Sequence, residues 1–257
     1  MITVCYAEDT RRTGRLLSHI GAPASLRSLH RHNEQARVKE AISRLDAGER
    51  IALVSDAGTP AISDPGRRLV AAALEAGHAV IPIPGPSAVP TALSASGMPA
   101  DRFLFAGFPP RKGQARNEWL EAAVSSPHTV VAFEAPGRLS RLLDDLGLRG
   151  AGEREMVVCR ELTKMHEEIR RGAIRELATV YREETVKGEV TLVMEGAPAA
   201  GQGMNPDIRE VVKACVKKME SEGRTRREIS ETLRDRFGLA RNEAYRASLE
   251  SGDTPCE

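Results

Sequence analysis

The sequence predicts an α/β fold with a largely parallel sheet, followed by a small all-helical segment. Three observations carry that prediction. Short apolar, often β-branched runs recur as far as Gly196, and helical patterns lie between several of them. The composition then changes at "APAAGQGMNP" (Ala197 to Pro206), beyond which only helical signals follow.

In chain order, "ITVCYA", "IALVSD", "AVIPIPG", "FLFAGF", "TVVAFEA", "EMVVCREL" and "VTLVMEG" each read as a buried strand. The clearest helix is "DPGRRLVAAALEAGH". Asp64 is placed to cap it, Pro65 suits its first position, Leu69, Val70, Ala73 and Leu74 share an apolar face, and Gly77 ends it. "GRLSRLLDDLG" and "AIRELATVYREE" follow the same logic. Past the small, flexible stretch come "DIREVVKACVKKMESEG", then "TRREISETLRDRFG" with Thr225 and Glu228 as a capping box, and last "LARNEAYRASLES". The pair joined at "FGLARNE" reads as a helix-turn-helix. These signals divide the chain into an α/β lobe over 1–100, a second over 101–197, a linker over 198–206 and a helical segment over 207–257.

At 257 residues and 41% hydrophobic content the chain can bury one large core or two modest ones. A formal charge of +1 argues against a uniformly basic nucleic-acid binder and leaves local patches open. One such patch runs from Arg209 to Arg246, with eleven Lys/Arg against seven Asp/Glu; charge alone reads first as a solvated helical face. Cys5, Cys159, Cys215 and Cys256 lie far apart without a CxxC pair, so neither zinc nor a disulfide framework is expected, and a reduced cytosolic setting fits. No run is long and apolar enough to span a bilayer, and "MITVCYAEDTRR" lacks the pattern of a secretory signal.

Chemistry is concentrated where runs end. In "SDAGTPAISDPG" a strand stops at Ser55, Asp56, Ala57 and Gly58, where open α/β sheets keep their ligand crevice. A plain strand-to-helix connection would look the same. "IPIPGPSAVPTALSASG" repeats the pattern, with Pro84-Gly85-Pro86 followed by Ser87 and Ala88. Neither stretch has GxGxxG order, and no GxxxxGK[ST] loop exists, so NAD and ATP are poorly supported. "YAEDTRRTGRLL" ends a strand with Glu8 and Asp9 beside Arg11, Arg12 and Arg15, a set suited to proton transfer, to phosphate, or to a surface ion-pair cluster. "CRELTKMHEE" adds Glu161, Lys164 and His166. "FEAPGRL" adds Phe133, Glu134 and Arg138, and "GFPPRKGQAR" reads as a basic lid, an RNA-touching loop or a solvated connection.

Taken in order, "AEDTRRTGRLLSHIG", "SDAGTPAISDPG", "PGPSAVPTALSASGMPADRFLFAGFPPRK", "FEAPGRL", "CRELTKMHEE" and "GEVTLVMEG" closely resemble the ribosomal RNA small-subunit methyltransferase I family, one of the tetrapyrrole-methylase-like methyltransferases. The match runs from Tyr6 to about Gly196, and the helical tail resembles the family's C-terminal helix-turn-helix segment. The resemblance implies a two-lobed class III fold and S-adenosylmethionine (SAM) as donor. It also implies 2′-O-methylation of a cytidine ribose in the decoding region of small-subunit rRNA, usually by a homodimer, which with the cytosolic setting read from the cysteines makes a cytoplasmic enzyme the expectation. Carried over residue by residue, it implies SAM contacts at Asp56, Ala57, Gly58, Thr59, Pro60, Ser87 and Ala88, with Phe133, Glu134, Glu189 and Thr191 beside them. The family's usual opening strand and "TPIGNL"-like loop precede the "AEDTR" segment, whereas this sequence starts almost at "YAEDTR".

Positioning is expected to dominate methyl transfer, with a base accepting the hydroxyl proton. Glu8, Asp9, Glu161 and Lys164 are the candidates, Lys164 requiring a lowered pKa. Arg11, Arg12, Arg138 and Lys112 are the expected phosphate contacts, and the tail is expected to hold rRNA, naked or in an assembled small subunit. Two alternatives stand beside this reading. One is a methylase of the same fold acting on a tetrapyrrole or a protein; the other is a non-catalytic RNA-binding remnant.

Overall fold

A computed structural model of the chain describes residues 2–198, 206–237, 239, 244, 245, 247 and 248. Its first sheet holds β1 (Val4–Ala7), β2 (Ser25–Ser28) and β3 (Ile51–Val54) in the order β2-β1-β3, all parallel. Crossover helices α1 (Thr10–His19) and α2 (Glu34–Asp46) connect them, and α3 (Arg67–Glu75) follows β3. β1 is central and fully buried. Val4 and Tyr6 pack with Leu29, with Ala41 of α2 and with Leu69 of α3 into one small core.

The second sheet holds β4 (Phe103–Phe105), β5 (Thr129–Glu134), β6 (Glu155–Arg160), β7 (Glu168–Ala173) and β8 (Val190–Met194), ordered β4-β5-β8-β6-β7. One face carries α5 (Gln114–Ser125), α6 (Leu139–Leu146) and α7 (Ile174–Glu183), where Leu139, Leu142, Leu143 and Leu146 of α6 are all buried. The opposite face is covered by α4 (Ala88–Ser96), whose Val89, Ala92 and Leu93 meet Val131, Val157, Cys159 and Val193. α8 (Pro206–Ser221) and α9 (Arg226–Phe237) close a separate core through Val212, Val216, Met219, Ile229 and Leu233. The Thr225/Glu228 capping box forms, with Thr225 N donating to Glu228 Oε2 at 2.8 Å and Glu228 N to Thr225 Oγ1 at 3.4 Å.

Several expectations are corrected. Only the first sheet and the β4/β5 pair are parallel; β5/β8, β6/β8 and β6/β7 are antiparallel. Apolar periodicity carries no strand direction, and β6 returns through residues 161–167 as β7 instead of crossing over. "AVIPIPG" forms no strand, and its Val80, Ile81 and Ile83 are exposed. Prolines at 82, 84 and 86 remove every donor along one edge of that segment. β2 and β7 escaped the apolar search because both are polar edge strands. Phe103 and Leu104 of β4 are exposed for the same positional reason. Asp64 is not the cap of α3: Gly66 sits at the N-cap, and Glu34 Oε1 accepts from Gly66 N and Arg68 N, both at 3.0 Å. Leu74, expected on the apolar face, is exposed. Most of the linker, most of the third tail helix and Cys256 lie outside the described residues.

Candidate functional site

The parallel register sets Ala7 opposite Val54, so the residues leaving β1 and β3 emerge side by side. Asp9 N donates to Asp56 Oδ1 at 3.1 Å, and Arg12 Nη1 reaches Asp56 Oδ2 at 3.3 Å. Asp9 also caps α1, its Oδ1 accepting from Arg11 N at 2.8 Å. The Arg11 side chain closes on the same carboxylate at 2.9 Å, and these hydrogen bonds hold the Asp9 carboxyl down at about 2. Such a group is a poor proton acceptor at neutral pH.

The turn after β3 is conformationally expensive. Gly58 has φ +73°, and two residues that are not glycine, Ala61 at +70° and Ser63 at +64°, also lie in the left-handed region. Arg31 Nη2 donates to Ser63 O at 2.6 Å and helps hold this shape. A Cβ on Gly58 would have no atom within 4 Å, so the space beside its backbone is open. At the far end of the turn stands Asp64. Burial, reinforced by the charges of Glu8 and Asp56, pushes its carboxyl up to about 6, against a hydrogen bond from Ser55 and the charge of Arg31.

Between the lobes, Pro84–Gly85–Pro86 leads to Ser87, the N-cap of α4. The Ser87 side chain makes no cap hydrogen bond, and a Cβ on Gly85 would likewise have no atom within 4 Å. Among the described residues the serine hydroxyl thus does not cap its own helix, and the glycine backbone is open to close approach.

The second sheet contributes one end. Phe133, Thr191 and Cys159 are cross-strand neighbours on β5, β8 and β6, and Thr191 is buried. The Phe133 ring meets Phe105 edge-on at 5.1 Å and Phe108 at 5.4 Å. Phe133 N donates to Gly107 O at 3.0 Å, and a Cβ on Gly107 would lie 3.8 Å from Ser63 Oγ. That approach sets this end of the sheet against the strained turn. Nearby, Lys164 Nζ lies 2.8 Å from Glu161 Oε1 and 3.0 Å from Glu189 Oε2. Hydrogen bonding to Glu161 raises the Lys164 pKa and lowers that of Glu161, so Lys164 stays protonated, opposite to what a base requires.

Glu134 faces inward. Its side chain is fully buried, paired with Arg138 and accepting from Ala135 N at 2.7 Å, and burial raises its pKa. Arg138 Nη1 donates to Pro109 O at 3.3 Å and Arg116 Nη1 to Pro110 O at 3.0 Å, so two guanidiniums pin the loop that displays exposed Lys112. The structure thus gathers Glu8, Asp9, Arg11, Arg12 and the Asp56–Pro60 turn in one cluster. It gathers Phe133, Thr191, Glu161, Lys164 and Glu189 in another, with Ser87 and Ala88 between the sheets in sequence. Sequence reasoning missed Asp64, Ser63 and Arg31 as site residues. Asp64 was visible in "ISDPG" but matched a helix cap, while Arg31 carried no local signal. Among the described residues no group of three His, Cys, Asp or Glu side chains could hold a metal ion, and no helix is long and apolar enough to cross a membrane.

Comparison with known proteins gives this geometry a lineage. The sequence model of "Tetrapyrrole (Corrin/Porphyrin) Methylases" matches residues 2–178. The "Ribosomal RNA small subunit methyltransferase I" of Synechocystis sp. is 42% identical over 251 residues, covering 97% of this chain and 88% of its own. The protein so named from Escherichia coli O157:H7 is 43% identical over 208 residues, covering 80% of this chain and 73% of its own. Among solved structures, uroporphyrin-III-C-methyltransferase from Thermus thermophilus superposes with a TM-score of 0.52 at 20% identity, over 75% of this chain and 83% of its own. The methyltransferase CobJ does so at 0.54 and 17% identity, over 80% and 98%. These last two share the class III fold, as the two-lobed α/β arrangement requires. The chain therefore belongs to the tetrapyrrole methylase family and, within it, to the ribosomal RNA small subunit methyltransferase I proteins.

Proposed function

We propose that the chain transfers a methyl group from SAM to the 2′-oxygen of a cytidine ribose in the decoding region of small-subunit rRNA, naked or in the assembled subunit. The observation that carries this reading is the open, left-handed turn after β3, found in a chain 42% identical to a named rRNA methyltransferase over 97% of its length.

The residues present fit the cofactor. Gly58 and Gly85 leave backbone open to close approach, and the Ser87 hydroxyl is not spent on its own helix. Asp56, Ala57, Gly58, Thr59, Pro60, Ser87 and Ala88 would hold SAM from the first lobe, with Phe133, Thr191 and Glu189 from the second. Glu134 acts from behind, through Arg138. When bound, SAM supplies a methyl group already made electrophilic by its sulfonium, so the protein's main task is alignment, a contribution of up to about 7–11 kcal/mol.

The ribose hydroxyl needs a proton acceptor, an effect of roughly 10²–10⁴-fold. Asp64 suits that role. A carboxyl titrating at about 6 is ionised at neutral pH yet more basic than Asp9, and it stands beside Glu8 at the carboxyl ends of β1 and β3. Arg11, Arg12 and Lys112 would contact rRNA phosphates, Arg138 would hold the Lys112 loop in place, and the helical tail would grip the RNA backbone. The reading includes a cytoplasmic homodimer, for which the exposed Phe103 and Leu104 on edge strand β4 offer apolar surface.

The test is incorporation of labelled methyl from SAM into unmodified small subunits, read as 2′-O-methylcytidine after nuclease digestion. Gly58→Leu is expected to abolish both incorporation and SAM binding by calorimetry. Binding of RNA by a folded chain that takes up no SAM would overturn the enzyme reading in favour of an RNA-binding remnant, and transfer to a tetrapyrrole alone would overturn the substrate.

A further inference from the structure

A cleft of about 500 Å³ opens at the outer edge of the first sheet, lined by Thr10, Arg11, Leu26, Arg27, Ser28 and Arg37. It lies between the first turn of α1, strand β2 and the start of α2. Three arginines from three separate elements therefore line one hollow.

Each guanidinium is oriented by a carboxylate without being saturated. Glu40 receives Arg27 Nε at 3.2 Å and Arg37 Nη1 at 2.6 Å, and Arg44 Nε approaches it at 3.4 Å. Burial works against the Glu40 charge, yet the hydrogen bonds from Arg37 and Arg27 hold its carboxyl below the ordinary range. Arg27 Nη1 is further fixed by Ser25 Oγ at 3.2 Å and Leu26 O at 3.1 Å, and Arg11 binds Asp9 through Nε and Nη2. Among the described residues this leaves Arg11 Nη1, Arg27 Nη2, and Arg37 Nε and Nη2 without a partner. Arg11, Arg27, Arg37 and Arg44 against the carboxylates of Asp9, Glu40 and Glu49, the last held by Arg44, give this cluster a net charge of +1, matched to one phosphodiester. The hydroxyls of Thr10 and Ser28 add donors suited to anionic oxygens, and Leu26 supplies apolar surface for a sugar.

Position links the cleft to the turn after β3. Arg11 lines the cleft while the next residue, Arg12, reaches Asp56. Resting on the rRNA reading above, we propose that this cleft binds a backbone phosphate of the single-stranded rRNA segment flanking the methylated nucleotide, with Arg11, Arg27 and Arg37 as its clamp. It thereby fixes the register in which the target ribose meets the methyl donor. The preoriented forks of arginine suit a phosphate better than mobile ammonium groups would.

The experiment measures binding of a short fluorescein-labelled single-stranded oligocytidylate by anisotropy across a salt series, for the full chain and for Arg27→Gln/Arg37→Gln. SAM affinity is measured in parallel by calorimetry. The double variant is expected to bind RNA roughly tenfold more weakly. Its plot of log affinity against log salt should be shallower by about 0.7, the value for one lost phosphate contact, with SAM affinity unchanged. Arg11→Gln, whose side chain is 86% exposed, gives the same readout without disturbing Glu40 and covers the case in which the double variant does not fold. Unchanged RNA affinity and slope in the variants, with the parent chain binding RNA, would overturn the cleft and leave the rRNA reading standing. A parent chain that binds SAM but neither the oligocytidylate nor unmodified small subunits would overturn both.

Discussion

Asp64 shows how one side chain ties stability to chemistry. Burial raises its carboxyl to about 6, above the ordinary value of 3.8, so between roughly pH 4 and 6 the folded state keeps a proton that the unfolded state has released. Stability from this group therefore falls as pH rises through that window, and the penalty is complete above it. Asp64→Asn removes the half-buried charge but keeps the shape. Its melting temperature is expected to exceed that of the parent by a few degrees above pH 6 and to match it near pH 4. In the same variant, methyl transfer at neutral pH should fall by roughly 10²–10⁴-fold. Thermal melts and rates from about pH 4 to 7.5 check both halves, and near-parental activity would remove Asp64 as the proton acceptor. The residue was legible in the sequence only as a helix cap. The group that serves α3 is Glu34, which lies 32 residues before Gly66, and no local pattern reports a contact of that span.

At the scale of elements, apolar runs identified β1, β3, β4, β5, β6 and β8; β1, β5, β6 and β8 bury most of their side chains, whereas β3 is half-buried and β4 leaves Phe103 and Leu104 exposed. The search failed in two directions, both for reasons of pairing. β2 and β7 are edge strands whose polar residues do other work: Arg27 lines the cleft, and Arg171 Nη2 pairs with Glu155 at 2.5 Å. Conversely, "AVIPIPG" has the composition of a strand and no partner among the described residues. Alternate prolines leave only Ile81, Ile83 and Gly85 with an N–H on the usable edge. Hydrogen exchange separates the two cases. The amides of Ile81 and Ile83 are expected to exchange within seconds, while those of Tyr6 and Ala7 in the buried centre of the first sheet stay protected until much larger openings. Equal protection would show that the segment is paired in solution. The candidate site divides along the same line. Its glycine turn was legible because glycine, proline and small residues stand out after an apolar run, whereas the cleft was not, because its arginines come from three elements that only the fold brings together.

At the scale of the whole molecule, four hydrophobic clusters among the described residues serve three tasks. The small parallel sheet carries the turn after β3, the larger mixed sheet carries Phe133 and Thr191 and brings Gly107 near Ser63 of that turn, and α8 with α9 packs around its own residues Val212, Val216, Ile229 and Leu233. A tail with its own core can be removed without opening either sheet. On the proposed rRNA reading, its basic excess, eleven Lys/Arg against seven Asp/Glu from Arg209 to Arg246, is a separable contribution to RNA affinity. Deleting residues 206–257 is expected to leave SAM affinity within about twofold, because no residue assigned to the cofactor is lost. RNA binding should weaken, and its salt dependence should become shallower by about 0.7 for each phosphate contact the tail supplied. The two proposed RNA elements are far apart in sequence and rest on different cores, so their losses should add: combining the deletion with Arg27→Gln/Arg37→Gln should reduce log affinity by the sum of the separate reductions. Strict additivity would mean that cleft and tail hold different phosphates on one strand. A combined loss no larger than that of the deletion alone would mean that the cleft is filled only when the tail has already delivered the RNA, and RNA-binding kinetics of the cleft variant would then show a changed dissociation rate with an unchanged association rate.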